Sequence, residues 1–244
     1  MRSAAIACIL ICVAEGVRLK RRREYPAKIR CDGAALARIY ERQFRELAGL
    51  RRYICSLLPL RRVEKIFEPG CGTGLLAREM MALSDASYIG MDIREAILAQ
   101  GDAFVAGDAV RYPREADLYV ASFFFSSVAD PAAWLRRVKR KLSPGGWFAL
   151  FAEYDYEATA IRPDSGFKSK LLDGLRATGL HTGNGARLNQ VFREAGFAKL
   201  YGGMVHNTVE RPDEKFLCMH VDRLPDPLPQ IEWRIVWGIW RNRI

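Results

Sequence analysis

Apolar residues along this chain recur with two different periods, and the alternation between them outlines an α/β domain. Residues 34–58 place Leu36, Ile39, Tyr40, Phe44, Leu47, Leu50, Ile54 and Leu57 at helical spacing, the signature of one or two amphipathic helices. Gly49 is a candidate break between them, and Pro59 ends the second. A run of short β-rich segments follows: Val63 to Phe67, Ala86 to Met91, Ala103 to Ala106, Asp117 to Ser122 and Trp147 to Phe151. Asp130-Pro131 reads as a helix N-cap with proline at the first helical position. That helix is expected to run to Leu142, with Ser143-Pro144-Gly145-Gly146 turning the chain into the fifth strand. Beyond it, Ser165 to Leu175 and Arg187 to Ala195 read as helices, the latter closed by Gly196. Phe197 to Val205 and Trp233 to Trp240 read as strands. The segment Arg211 to Pro229, rich in proline and charge, is long for a connection and is a candidate cover for a substrate site.

The chemistry concentrates at the first strand. Glu68-Pro69-Gly70-Cys71-Gly72-Thr73-Gly74 follows it directly, placing three glycines at alternate positions where a strand turns into a helix. Such a turn lets a large ligand approach bare backbone. A dinucleotide fingerprint would require glycine or alanine at position 75, which is Leu75. The second strand ends in Asp92, about 20 residues beyond the loop and placed to accept hydrogen bonds from ribose hydroxyls. The third ends in Gly107-Asp108-Ala109, a second acid at a strand tip.

Taken in order, Glu68 to Gly74, Asp92, Gly107-Asp108-Ala109 and Leu142-Ser143-Pro144-Gly145-Gly146 resemble the class I methyltransferases that use S-adenosylmethionine. The likeness is close over residues 60 to 155. It implies a Rossmann-like α/β fold, with a seven-stranded, mostly parallel sheet of order 3-2-1-4-5-7-6, one strand antiparallel and helices on both faces. The implied organisation is an amino-terminal extension (1–33), a helical cap (34–59) and the methyltransferase domain (60–244).

The resemblance also assigns roles. Backbone at Gly70, Gly72 and Gly74 would meet the methionine and ribose portion of S-adenosyl-L-methionine, and Glu68 its ammonium. Asp92 would bind the ribose hydroxyls and Ile93 would pack on the adenine. Asp108 would accept from the adenine amino group, with Ala109 alongside. Ser122 and Phe123, at the end of strand four, would border the cofactor where acceptor meets methyl group. Strand four runs on into Phe123-Phe124-Phe125, a candidate aromatic wall for an apolar or planar acceptor, although alternate strand residues face inward and core packing accounts for at least one of them. Tyr40, Arg42 and Phe44 are candidate lid residues, for which core packing is the simpler account of Tyr40 and Phe44. Glu153 and Asp155 follow strand five at the carboxyl edge of the sheet, where open α/β sheets bind ligands. Each is a candidate general base or substrate-orienting acid, and equally a loop acid paired with an arginine.

The helix between Asp92 and Asp108 has room for only a couple of turns. Neither an N-P-P-Y or D-P-P-Y motif nor a Pro-Cys pair occurs after strand four, which argues against two nucleic-acid-modifying subclasses. Six scattered cysteines with no C-x-x-C pair suggest free thiols in a reducing, cytoplasmic setting, and no His/Asp/Glu spacing suggests a metal. Cys71 fits as a small residue in a tight loop.

Net charge is +10 over 244 residues. The basic residues are spread through the chain apart from Arg18 to Arg23, so solvated helix faces and a basic tail account for the charge before nucleic acid does. The apolar stretch Ala4 to Ala14 is too short to span a bilayer, which takes about 20 residues. The expected activity is methyl transfer to oxygen, nitrogen or carbon of a small molecule. The alternatives are an RNA or protein acceptor drawn to the basic surface, and a non-catalytic protein that keeps the cofactor fold.

Overall fold

The computed structural model describes residues 33–243, so the extension at 1–32, with its apolar stretch and basic cluster, lies outside the described residues. Strands β1 (Lys65–Pro69), β2 (Ser87–Asp92), β3 (Phe104–Ala106), β4 (Ala116–Ser122) and β5 (Leu142–Tyr154) form a parallel array in the order β3-β2-β1-β4-β5. Their central members read as nearly continuous apolar runs because helices cover both faces. Along β4, Leu118 and Val120 join one core layer while Tyr119 and Ala121 join the other, the two-residue period of a pleated strand.

The layer holding Ile66, Leu118 and Val120 packs on α2 (Ala48–Leu57) through Ile54 and on α3 (Leu75–Leu83) through Leu76, Ala77 and Met80. The opposite layer packs Phe67, Tyr119 and Phe148 against α4 (Pro131–Lys141) and α6 (Asn184–Glu194), which contribute Trp134, Leu188 and Phe192. Full burial of a side chain such as Phe148 contributes roughly 1.5–3 kcal/mol relative to leaving it in water. The helix α4 begins as read: the Asp130 carboxylate accepts from the Ala133 amide at 2.9 Å, with Pro131 at the first turn.

After α5 (Phe167–Ala177) and α6, the chain adds β7 (Phe197–Val209) and returns as β8 (Gln230–Asn242). β8 inserts antiparallel between β5 and β7. These seven strands therefore lie in the expected order 3-2-1-4-5-7-6. An eighth, β6 (Ala160–Arg162), was not anticipated; it pairs antiparallel with the start of β8.

Four local details differ from the sequence reading. Ser143 to Gly146 does not precede β5 but lies within it: Ala116 pairs with Leu142 and Leu118 with Trp147, so the four residues bulge out of the ladder. Gly145 supplies the bulge's positive φ of 71° and the Ser143 hydroxyl bonds Asp117. The helix expected after Asp92 shrinks to a 3-10 turn, Glu95–Ile97, because the Ala99 amide is drawn back to the Gly72 carbonyl at 3.1 Å. The break between α1 (Gly33–Glu46) and α2 falls at Leu47, with Gly49 inside α2. Within Arg211 to Pro229 a short helix, α7 (Glu214–Cys218), forms behind an Asp213 N-cap and buries Leu217.

Candidate functional site

The bend after β1 is suspended from the neighbouring strand. The Met91 carbonyl at the end of β2 accepts from the amides of Gly70 and Cys71 at 2.7 and 3.3 Å. Gly70 and Gly74 are each held at positive φ (71° and 68°). A Cβ on Gly70 would lie 2.7 Å from the Phe124 ring, and one on Gly74 would lie 2.7 Å from Phe104 and 2.8 Å from Ala99. Both positions thus require glycine for conformation and for space.

The two carboxylates nearest the bend are buried and oriented. Asp92 Oδ2 accepts from the Gly72 amide at 3.0 Å and Oδ1 from the Arg94 amide at 2.8 Å, so Asp92 both shapes the glycine loop and closes its own turn. Glu68 Oε2 accepts from the Tyr88 hydroxyl at 2.6 Å. Burial pushes the Glu68 carboxyl up to about 8, against the opposing pull of the Tyr88 hydrogen bond and with a smaller push from Asp92. Burial also drives the Tyr88 phenol and the Cys71 thiol upward, so neither is an anion near neutrality and Cys71 is no ready nucleophile.

These groups border one cleft, partly open to solvent, whose lining includes Glu68, Gly70, Gly72, Asp92, Ser122 and Phe123. Phe123 adopts a φ of 52°, a conformation uncommon for a bulky residue and found where surrounding structure enforces it, often at ligand sites. Its amide donates to the Ala152 carbonyl at 2.8 Å. Helix α1 supplies Tyr40 and Phe44 to the opposite wall. The Tyr40 hydroxyl accepts from the Arg94 guanidinium at 2.9 Å. Arg51, buried on the same wall, bonds Glu79 at 2.8 Å and lies over the Phe44 ring. The donor set suits an adenosyl amino acid: a carboxyl for an ammonium, a carboxylate for vicinal hydroxyls, and bare backbone between them.

The remaining sequence candidates are not among the residues that line this cleft. Gly74 serves the packing of β3. Ile93 is exposed. Asp108 turns back to accept from the amides of Val110 and Arg111 at 2.9 and 3.1 Å, and Ala109 is buried with its carbonyl accepting from the Trp134 indole at 3.2 Å. Glu153 is fully buried, with Oε2 accepting from the Phe125 amide at 2.6 Å and Oε1 without a partner among the described residues. Burial raises its carboxyl to about 7. Asp155 caps the turn at Tyr156–Ala158 and pairs with Arg234 at 3.4 Å, the loop-acid alternative. Tyr88, Arg94, Arg51 and Gln43 were not singled out beforehand. The one available signal was Tyr88, on the strand that ends in Asp92. No group of three or more His, Cys, Asp or Glu among the described residues could hold a metal ion, and no described helix is long and apolar enough to cross a membrane.

Comparison with known proteins bears on the fold. No curated protein matches the chain. A provisionally named methyltransferase of Bacillus halodurans superposes with a TM-score of 0.61 at 16% identity, covering 81% of this chain and 99% of that one. An S-adenosylmethionine-dependent methyltransferase of Mesorhizobium loti gives 0.52 at 22% identity, covering 78% and 96%. Phosphoethanolamine N-methyltransferase 2 of Haemonchus contortus, solved with S-adenosyl-L-methionine, gives 0.52 at 16% identity, covering 80% and 52%. A family model described as a methyltransferase domain matches residues 40–201, well over half of the sequence. The chain belongs to this methyltransferase domain family.

Proposed function

We propose that the chain transfers a methyl group from S-adenosyl-L-methionine to a small-molecule acceptor at oxygen, nitrogen or carbon. The observation that carries this reading is the convergence of Glu68, Asp92 and the Gly70–Gly72 backbone on a single cleft. When bound, the donor supplies a methyl group made electrophilic by a sulfonium sulfur. The residues of the chain provide the rest, which is chiefly position and the exclusion of water. Glu68, with Oε2 engaged by Tyr88, would offer its other carboxyl oxygen to the ammonium. Asp92 has accepted one hydrogen bond at each oxygen, and a carboxylate has about four lone-pair sites, leaving capacity for two hydroxyls. Phe123 and Phe124 supply the apolar wall beside the reacting carbon, with Ser122 at its edge.

Ile93, Asp108 and Ala109 are the adenine-side residues of this reading, and Glu153 and Asp155 are its acid candidates. Asp155 is engaged with Arg234, and Glu153 is packed beneath the turn at Phe125–Ser127. Neither touches the cleft, so positioning rather than proton transfer is the role that fits them. A cytoplasmic setting belongs to the same reading: Cys55, Cys71 and Cys218 are free thiols. An RNA or protein acceptor is the second reading, favoured by the net charge of +10. Incubating cell extract with enzyme and a labelled methyl donor, then separating small-molecule, RNA and protein fractions, tests the proposal. Label confined to the small-molecule fraction is expected, and label in RNA or protein overturns the acceptor class.

A further inference from the structure

The aromatic wall of the cleft is held from behind by residues distant in sequence. Directly after Phe123 and Phe124 the chain makes the 3-10 turn Phe125–Ser127, and the turn divides its side chains. Ser127 lines the cleft, as do Phe123 and Phe124, while Phe125 and Ser126 are buried. The backbone of this turn is bonded by three other parts of the chain. The Phe125 amide donates to Glu153 of β5 at 2.6 Å, and the Ser126 carbonyl accepts from the His181 amide, between α5 and α6, at 2.7 Å. The side-chain amide of Asn184, the first residue of α6, donates to the carbonyls of Phe125 and Val128, both at 2.8 Å.

One NH2 group therefore bridges both ends of the turn. A side-chain amide has two N–H donors, and Asn184 places one on each carbonyl, so a single planar group sets the spacing between them. Asn184 is itself firmly seated. Helix α6 starts against the end of β5, where a Cβ on Gly185 would collide with the Tyr154 carbonyl and lie 2.9 Å from the Asp155 Cα. On the cleft side the wall has little freedom to adjust. The Phe124 ring lies 2.7 Å from where a Cβ on Gly70 would stand. Phe123 is held at a φ of 52°, which surrounding structure must enforce on a bulky residue. Without Asn184, the carbonyl of the fully buried Val128 loses this donor, and an unsatisfied buried acceptor drives local rearrangement.

We propose that Asn184 is a positioning residue for methyl transfer: by bridging Phe125 and Val128 it fixes where Phe123 and Phe124 stand, and so where the acceptor meets the methyl group. The assignment rests on the methyl-transfer reading above. Asn184 is not among the residues lining the cleft, so it acts through the turn and touches neither donor nor acceptor. An in-line displacement is sensitive to such a device, because a misplacement of about 1 Å can cost roughly a hundredfold in rate. The donor's own contacts, Glu68, Asp92 and the glycine backbone, lie on β1, β2 and the bend between β1 and α3, outside the elements that Asn184 bonds. Its loss should therefore tell on the transfer step more than on donor binding.

The test compares Asn184→Asp with Asn242→Asp in the full chain. The first keeps the size of the side chain and replaces both donors with acceptors. Asn242 is the matched control: its amide bonds the carbonyls of Lys139, Leu142 and Ser143 at 3.3, 3.1 and 3.3 Å, at the amino end of β5 and away from the cleft. Both variants should lower the urea midpoint. Where circular dichroism shows them folded, initial rates of methyl incorporation into cell extract are measured against the concentration of labelled S-adenosyl-L-methionine. Asn184→Asp should lower the rate at saturating donor about tenfold to a hundredfold, with the donor KM within about threefold of the parent. Asn242→Asp should leave the rate within about twofold. Should Asn184→Asp fail to fold, Asn184→Ala, which removes the donors without adding a charge, carries the same expectation. An unchanged rate at saturating donor, a loss matched by Asn242→Asp, or a loss confined to the donor KM overturns the assignment. No incorporation by the unmodified chain into any fraction would instead overturn methyl transfer itself. Label in RNA or protein would overturn only the acceptor class, and the variants are then compared on that fraction, so the failures are distinguishable.

Discussion

Tyr88 and Glu68 sit on adjacent parallel strands, Tyr88 level with Ile66, and the phenol reaches forward to donate a 2.6 Å hydrogen bond to the Glu68 carboxyl. This contact favours the charged form of an acid that burial, even against it, raises to about 8. An ammonium ligand needs that acid ionised, so binding near neutrality must release a proton. S-adenosylhomocysteine affinity should therefore rise as pH increases from about 6.5 to 8, by at most about tenfold per pH unit, and level off above. Tyr88→Phe removes the bond that favours the anion and should move the rising limb to higher pH. Calorimetry in buffers of differing ionisation enthalpy measures the released proton directly, and a flat profile without proton release would rule out Glu68 as the ammonium's partner.

Asp92 carries structure and ligand at once. Asp92→Ala leaves the amides of Gly72 and Arg94 without their carboxylate, each bond to a charged group contributing about 1.5–3 kcal/mol, and removes the hydroxyl-binding oxygens. Both the urea midpoint and S-adenosylhomocysteine affinity should fall. Asp92→Asn keeps one acceptor for Gly72, so it should recover part of the stability and little of the affinity. A variant that lost stability yet bound normally would confine Asp92 to shaping the loop.

Gly74→Ala should destabilise the fold by about 1–3 kcal/mol, since the new methyl overpacks Phe104 and Ala99 at a positive φ. Truncating the neighbour in the double variant G74A/F104L should restore part of this loss, because it opens space but leaves the dihedral cost. Full additivity of the two changes in chemical denaturation would show that Phe104 is not the obstruction.

Glu153 should make stability depend on pH in a defined direction. Its carboxyl titrates near 4.5 when unperturbed and is raised to about 7 by burial, so the native state holds more protons than the unfolded chain between those values. Stability falls as pH rises through that window and is constant above it. Glu153→Gln, which keeps an acceptor for the Phe125 amide, should be more stable than the parent at pH 8 by about 1–3 kcal/mol and gain little at pH 4. Equal differences at both pH values would refute the titration of this group.

The features legible in the sequence are those set by residues near one another along the chain. The alternating core of β4, the Asp130-Pro131 start of α4, the glycine bend and the acid ending β2 all follow from local pattern and local backbone chemistry. What the sequence leaves open depends mostly on distant partners. An arginine partner for Asp155 is one of two readings, and only the β5–β8 pairing identifies it as Arg234. Asp108 accepts from its own turn, a choice open to any strand-end aspartate. Tyr88 becomes part of the site only once strand register is known, and the bulge at Ser143–Gly146 is visible only against β4. The Arg211–Pro229 segment reads from sequence as a candidate cover, while the helix that Asp213 starts within it is too short to leave a periodic signal.

The position of β8 has a consequence for the chain as it leaves the ribosome. β5 pairs with a strand that begins 76 residues after its own end, and β7 emerges before the strand that joins it to the sheet. Until residues 230–242 are translated, the nascent domain presents the flank of β5 and the whole of β7 without their ladder partner. Such an exposed edge invites mispairing, so chaperone dependence and losses during expression should concentrate in this late interval of synthesis.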